Sequence, residues 1–238
     1  MIEKDIQLEC LGYSRPGTFY DNDSDTIIFA LTGRTASRAS FGYMAEAIAQ
    51  KTGYSAFMFD YSGHGCDTGG MDWKQISPAE QFIEVIHAFD WIRQIHPDKK
   101  IYVFGTSFGG YLATQLTKYR QFDKLVLAAP AIYTPDSFYD PASKTHGGVV
   151  TAEYRADYTE LMKHPLLKRA ADRFTNPVAV VVHGDDEHIP ATVTDAYIES
   201  FGADSITVSE LPHSTEEPML VDAMLDTYQN NIAEWLKK

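Results

Sequence analysis

Short, almost wholly apolar runs recur along this chain, and stretches with helical apolar spacing lie between them. Thr26-Ile27-Ile28-Phe29-Ala30-Leu31, Ser55 to Asp60, Lys100 to Phe104, Lys124 to Ala128 and Val178 to Val182 have the length and continuity of strands, and Ser205 to Val208 is a shorter one. Between them, Ser37 to Lys51 carries Phe41, Met44, Ala45 and Ile48 on one face. Ser77-Pro78-Ala79-Glu80 is a capping box with proline at the first helical position, and the helix it opens lines up Phe82, Val85, Ile86, Phe89 and Ile92. Further helices are predicted over Phe108 to Tyr119, Thr192 to Phe201 and roughly Met219 to Leu236. Strands without polar alternation must be covered on both faces, so the pattern predicts an α/β fold with a mostly parallel sheet between two helical layers. Asp5 to Tyr20 adds one or two antiparallel strands at the start.

The alternation stops between residues 131 and 176. That stretch is aromatic and polar, with Tyr133, Phe138, Tyr139, Tyr154 and Tyr158. A connection of this length inside a compact domain is commonly functional or has short elements of its own. It is read as a small helical cap inserted over the carboxyl edge of the sheet, within a single domain spanning 1–238.

Composition narrows the function classes. Twenty Lys+Arg against 33 Asp+Glu give a formal charge of −13, the opposite of the basic surface that nucleic acids or anionic membranes attract. Neither is expected as a partner. The two cysteines, Cys10 and Cys66, make no zinc-type spacing, and neither a dinucleotide fingerprint nor a phosphate loop is present, so no cofactor or metal is expected. Met1-Ile2-Glu3-Lys4-Asp5 lacks the basic and apolar regions of a secretory signal, so a cytoplasmic location is expected. Oligomeric state is left open.

Gly105-Thr106-Ser107-Phe108-Gly109 lies where a predicted strand turns into a predicted helix. So sharp a turn presses together the residues two before and two after the serine, and both must be small. The serine is lifted above the strand's carboxyl end, and the helix N-terminus aims unpaired N–H groups at the same place. A serine hydroxyl needs a base to take its proton, and the base needs an orienting partner. Candidates follow in chain order. His183-Gly184-Asp185-Asp186-Glu187-His188-Ile189-Pro190 comes after the Val178–Val182 strand, and Leu211-Pro212-His213-Ser214 after the Ser205–Val208 strand.

On these features the chain resembles the α/β-hydrolase fold superfamily over roughly residues 25 to 238, apart from the cap. It looks most like small-cap serine esterases of the carboxylesterase and cinnamoyl or feruloyl type. Asp60-Tyr61-Ser62-Gly63-His64-Gly65-Cys66-Asp67 is similar to a Gly-rich loop common there. Residues 183–190 resemble the acid loop but are one residue short. Counting from His183-Gly184 gives Glu187, and counting back from Ile189-Pro190 gives Asp186. The order of preference is Asp186, Glu187, Asp185. The resemblance implies Ser107 as nucleophile, His213 as base, and an oxyanion hole made by the backbone N–H groups of Phe108 and Arg34. It also implies cleavage of small short-chain acyl or aryl carboxylic esters through an acyl-enzyme. Thioesterase or aminopeptidase-like chemistry are the alternatives, and a non-catalytic ligand- or partner-binding relative is the alternative of another class.

Other residues carry competing readings. His64, His183 and His188 stand near the site in sequence, and each is read first as structural or rim. His87 is read as solvated, His96 and His164 as partners of helix-terminal carbonyls, and His146 as mobile or a substrate contact. Asp195 is read as a solvated charge. Arg34 and Arg38 are expected to flank the entrance, either as surface charge or, for Arg34, as a guanidinium offered to an anionic part of the substrate.

Overall fold

The computed structural model describes residues 1–65, 71–145, 149–215 and 222–238. Eight strands form one sheet: β1 (Ile2–Cys10), β2 (Tyr13–Asp21), β3 (Thr26–Leu31), β4 (Ser55–Phe59), β5 (Lys100–Thr106), β6 (Lys124–Ala128), β7 (Val178–His183) and β8 (Asp204–Val208). Their order is β1-β2-β4-β3-β5-β6-β7-β8. β1 and β2 form an antiparallel hairpin that joins β4 antiparallel, and from β4 to β8 every pairing is parallel. The α/β-hydrolase architecture expected from the sequence is therefore present.

The apolar runs explain the layering. All residues of β3 and β4 are buried, as are the central residues of β5 and β6. One face of the sheet is covered by α1 (Arg38–Thr52) and α9 (Asp222–Lys237), through Phe41, Met44, Ile48, Tyr228 and Ile232. The other is covered by α2 (Pro78–Ile95), α3 (Phe108–Leu116) and α8 (Ala191–Phe201), through Phe82, Phe89, Leu112, Val193 and Tyr197. Ser37 and Ser77 both close full capping boxes, and Gly53 ends α1 in the left-handed conformation. The start of the last predicted helix at Met219 and Leu220, as well as Cys66, Asp67 and His146, lie outside the described residues.

Among its described residues, the 131–176 insertion contains a 3-10 turn at Pro135–Phe138 and four helices, α4 (Ala142–Thr145), α5 (Val149–Ala156), α6 (Tyr158–Met162) and α7 (Pro165–Arg173). The last of these packs against α3 and α8 and buries Leu166, Leu167 and Ala170. It thereby extends the sheet-covering layer, and the part above the site ends near residue 163. His164 starts α7 instead of ending a helix. Its Nδ1 accepts the Leu166 N–H at 3.0 Å, and its other ring nitrogen, carrying the proton, donates to the Tyr133 carbonyl at 2.9 Å. The His96 ring stacks on Phe19.

A buried polar cluster secures the loop after β4. Arg15 and Glu84, with side chains 3% and 4% exposed, pair at 3.0 Å. Arg15 also donates to the Ser62 hydroxyl, and the Glu84 carboxylate accepts from both the Ser62 N–H and its hydroxyl. Gln81 donates to the Ser62 carbonyl at 2.9 Å. Nothing in the spacing of these four residues announces the cluster.

Candidate active site

β5 ends at Thr106 and α3 begins at Phe108, leaving Ser107 alone to reverse the chain. Its backbone has φ 50° and ψ −115°, a conformation that costs a non-glycine residue about 1–3 kcal/mol and survives only where its surroundings enforce it. They do so here. The Ser107 N–H donates to the Ala128 carbonyl, and the Ser107 carbonyl accepts from Ala131, both at 2.9 Å. The two flanking glycines are required by contact. A Cβ on Gly105 would lie 2.6 Å from the Gly109 carbonyl oxygen, and one on Gly109 only 2.1 Å from that of Leu31.

The strained turn aims Ser107 Oγ at His213 Nε2, 3.0 Å away. His213 Nδ1 lies 2.8 Å from Asp186 Oδ2. With Nδ1–H donating to the carboxylate, Nε2 is left as an acceptor for the serine proton. The other Asp186 oxygen accepts the His188 and Ile189 N–H groups at 2.8 and 2.7 Å. Burial pushes this carboxyl's pKa up, but His213 and the two backbone donors outweigh it and hold the group below its ordinary value. Of the three candidates in the shortened acid loop, Asp186 faces His213, whereas Asp185 and Glu187 are exposed.

The acid and base loops are joined to one another. Gly184 N–H donates to the Val208 carbonyl, Asp185 N–H to the Leu211 carbonyl, and His183 Nδ1 to the Pro212 carbonyl, at 2.9, 3.0 and 2.9 Å. Burial pulls His183 down to about 4, so it is neutral and keeps this proton near pH 7. His64 serves the opposite side of the site. Its Nε2 accepts the Thr35 N–H at 3.1 Å and so pins the loop after β3, and burial, helped by the nearby Arg34 charge, lowers it to about 3. Both histidines are structural, as the sequence suggests. His188 is exposed and its ring lies 5.0 Å from that of His213, at the rim.

Phe108 begins α3, so its N–H falls outside the helical ladder. A Cβ added to Gly33 would lie 3.6 Å from that of Ser107, so the loop after β3 packs beside the serine. A cavity of about 780 Å³ opens here, lined by Ser107, His213, Arg34, Tyr133, Arg155 and Ile189 among others. Arg38 does not join Arg34 at this entrance. It turns back to Asp60 and Asp5, because its N–H caps onto the Asp60 carboxylate at the start of α1. Arg155, unremarked in the sequence, braces the cap by donating to the Ile132 and His188 carbonyls.

Among the described residues, no group of three or more His, Cys, Asp or Glu side chains is arranged to hold a metal ion, and no helix is long and apolar enough to cross a membrane. His64, His183 and His188 do not converge.

Comparison with known proteins places this geometry in context. Over 99 residues, 40% of this chain, it is 33% identical to the lysophosphatidylserine lipase ABHD12 of Gallus gallus, and that segment is 24% of the lipase. The chain thus matches about a quarter of that relative's length. The esterase Pf2001 of Pyrococcus furiosus superposes with a TM-score of 0.73 at 17% identity, covering 99% of this chain and 92% of that one. Est1E of Butyrivibrio proteoclasticus, solved with ferulic acid bound, gives 0.71 at 14% identity, covering 98% and 100%. These structural likenesses show a shared fold. The sequence model of the alpha/beta hydrolase fold matches residues 26–147, more than half of the chain and the part that carries the serine turn. With the parallel sheet and the turn as described, the chain belongs to the α/β-hydrolase fold family.

Proposed function

We propose that this protein is a serine hydrolase that cleaves small carboxylic esters through an acyl-enzyme, with Ser107 as nucleophile, His213 as general base and Asp186 as its orienting acid. One observation carries the reading: the unbroken hydrogen-bonded line from Ser107 Oγ through the His213 ring to Asp186. In the first half-reaction, Oγ attacks the ester carbonyl carbon while His213 Nε2 takes its proton. Asp186 keeps Nδ1 protonated and stabilises the imidazolium. The carbonyl oxygen, now negative, is held by the Phe108 and Arg34 N–H groups, and such a donor is typically worth about 3 kcal/mol in the transition state. His213 then protonates the departing alcohol. In the second half, water loses a proton to His213 and attacks the acyl carbon, and His213 then returns that proton to Ser107 Oγ as the acid is released.

A cavity of about 780 Å³ is of the size that takes a small molecule, and the short insertion above it favours small acyl or aryl groups over long chains. Two structural neighbours, an esterase and a protein solved with ferulic acid bound, lean the same way. A fluorophosphonate probe tests the chemistry. It is expected to label the wild type and leave Ser107→Ala unlabelled, and absence of labelling in both would favour a non-catalytic binding role. p-Nitrophenyl esters of graded acyl length, assayed beside methyl ferulate and an aminoacyl anilide, then separate esterase from peptidase activity.

A further inference from the structure

One charged group has no task in the mechanism above. The Arg34 side chain runs inward from the loop after β3, with Cζ 3.9 Å from the centroid of the Phe108 ring and 5.7 and 5.5 Å from those of Trp73 and Tyr133. Its Nε and both terminal nitrogens are shut off from solvent and have no hydrogen-bond partner. The contrast with Arg15 is instructive, because that arginine is buried too and is matched by Glu84 and Ser62. Among the described residues no carboxylate answers Arg34. Of the two that line the cavity, Asp186 is held by His213, and Glu187 is 56% exposed at the rim.

Aromatic faces attract a cation, but they supply no acceptors for five N–H donors, and they return less than the hydration a buried guanidinium forfeits. Arg34 lines the same cavity as Ser107 and His213. Arg155 lies within 5.2 Å of the same Tyr133 ring, so this side of the cavity is doubly cationic in a chain of net charge −13.

We propose that Arg34 anchors an anionic group, a carboxylate or a phosphate, carried by the ester substrate. The proposal rests on the serine-hydrolase reading and names the substrate class of that site: small esters bearing a negative charge on the part that lies against Phe108 and Tyr133. Such anchoring requires the planar fork of Arg34 to turn toward the cavity on binding, so that two oxygens of the anion accept side by side. The overall negative charge makes so local an anchor necessary, since long-range attraction would work against an anionic substrate.

The test compares anionic and neutral esters of one shape. 3-Acetoxybenzoate and 3-acetoxyphenyl phosphate are set against methyl 3-acetoxybenzoate for charge on the alcohol side. The mono-p-nitrophenyl ester of glutaric acid is set against p-nitrophenyl valerate for charge on the acyl side. At least one anionic ester is expected to exceed its neutral counterpart in kcat/KM by about tenfold or more. That ratio is expected to fall to one or below in Arg34→Met and to recover in part in Arg34→Lys. Using the ratio cancels any change in the shared chemistry, to which the Arg34 backbone contributes. The benzoate and phosphate arms tell which anion is preferred. Neutral esters favoured throughout, or a preference that survives in Arg34→Met, would overturn the proposal. Arg34→Met is expected to melt at or above the wild-type temperature, since it strands no partner. A marked fall would make Arg34 a packing element and also overturn the proposal.

If no ester is turned over, neutral ones included, it is the hydrolase reading that has failed, and binding then decides the anion site alone. Calorimetry of Ser107→Ala with 3-hydroxybenzoate, 3-hydroxyphenyl phosphate and glutarate should show heat that is lost in Ser107→Ala/Arg34→Met. Unchanged heat, or none in either variant, would count against Arg34 as an anion site.

Discussion

Replacing Asp186 by asparagine isolates the orienting role of the acid with almost no change of volume. One carboxylate oxygen accepts two backbone N–H groups, from His188 and Ile189, and the other accepts His213 Nδ1–H. An asparagine has one acceptor oxygen, and the two backbone donors retain it. Its NH2 group then faces His213 Nδ1, donor against donor. The conflict is relieved if the imidazole takes the other tautomer, with the proton on Nε2. That nitrogen lies 3.0 Å from Ser107 Oγ and in this form has no lone pair for the serine proton. The expected loss in kcat is about 10⁴-fold, as for the equivalent change in serine proteases, or about 5.5 kcal/mol of barrier. Asp185→Asn and Glu187→Gln alter exposed side chains and should stay within roughly twofold of wild type, as surface substitutions do. p-Nitrophenyl acetate hydrolysis gives kcat, and circular-dichroism melting establishes that each variant is folded. A folded Asp186→Asn enzyme that keeps more than about a tenth of wild-type kcat, or a larger loss in Glu187→Gln, would refute the tautomer argument.

The buried neutral histidines should set the acid limit of stability. His64 and His183 are lowered from 6.5 to about 3 and about 4, so between those values and 6.5 the unfolded chain binds more protons, and stability falls as the pH drops through that window. Each contributes roughly 3 kcal/mol of loss by pH 4 at 1.36 kcal/mol per unit, and urea titrations from pH 7 to pH 4 should flatten in His64→Gln or His183→Gln; an unchanged slope would refute the assignment. Gly109→Ala places a methyl 2.1 Å from the Leu31 carbonyl oxygen, backbone against backbone, and should cost more than the ~1–3 kcal/mol of ordinary overpacking, seen as lost soluble yield or a large fall in Tm; a near-normal melting curve would mean that the elbow tolerates bulk. Glu84→Gln leaves the Arg15 charge buried without its counter-ion, and a loss of about 3–5 kcal/mol in urea unfolding is expected, against little change for the exposed Arg120–Asp90 pair.

The sheet was legible because burial on both faces demands unbroken apolar strands, as in Thr26–Leu31 and Lys124–Ala128. The serine turn was legible because the close approach of Gly105 and Gly109 leaves no choice of residue. The proposed acid was legible only to within three neighbours. Asp185, Asp186 and Glu187 have the same chemistry, and the choice among them is made by backbone pairing: Asp185 N–H is used on Leu211, and the turn that follows swings Asp186 inward under the His188 and Ile189 N–H groups. The contacts of Arg38 with Asp60, of Arg15 with Glu84 and of His183 with Pro212 were not legible. Each joins residues distant in the chain, and neither periodicity nor local propensity encodes such pairs.

The way these contacts are distributed says how the site is kept in register. Asp186 and His213 stand on loops after the adjacent parallel strands β7 and β8, and three hydrogen bonds between those loops hold them as one body. Ser107 belongs to another body, the β5–α3 elbow, which is tied to β6 by the Ala128 bond and to the segment after it by the Ala131 bond. Between the two bodies lies β6, paired with β5 on one side and β7 on the other. The separation of Asp186 and His213 is therefore set locally, whereas the 3.0 Å from Ser107 to His213 depends on the four parallel strands from β5 to β8. A sheet of this kind, buried on both faces, is the stiffest part of such a fold. Beyond Ala131 at its start, the described residues of the cap make none of these bonds, and Arg155 donates to the His188 carbonyl, so variation in the cap can reshape the cavity without moving Ser107 from His213.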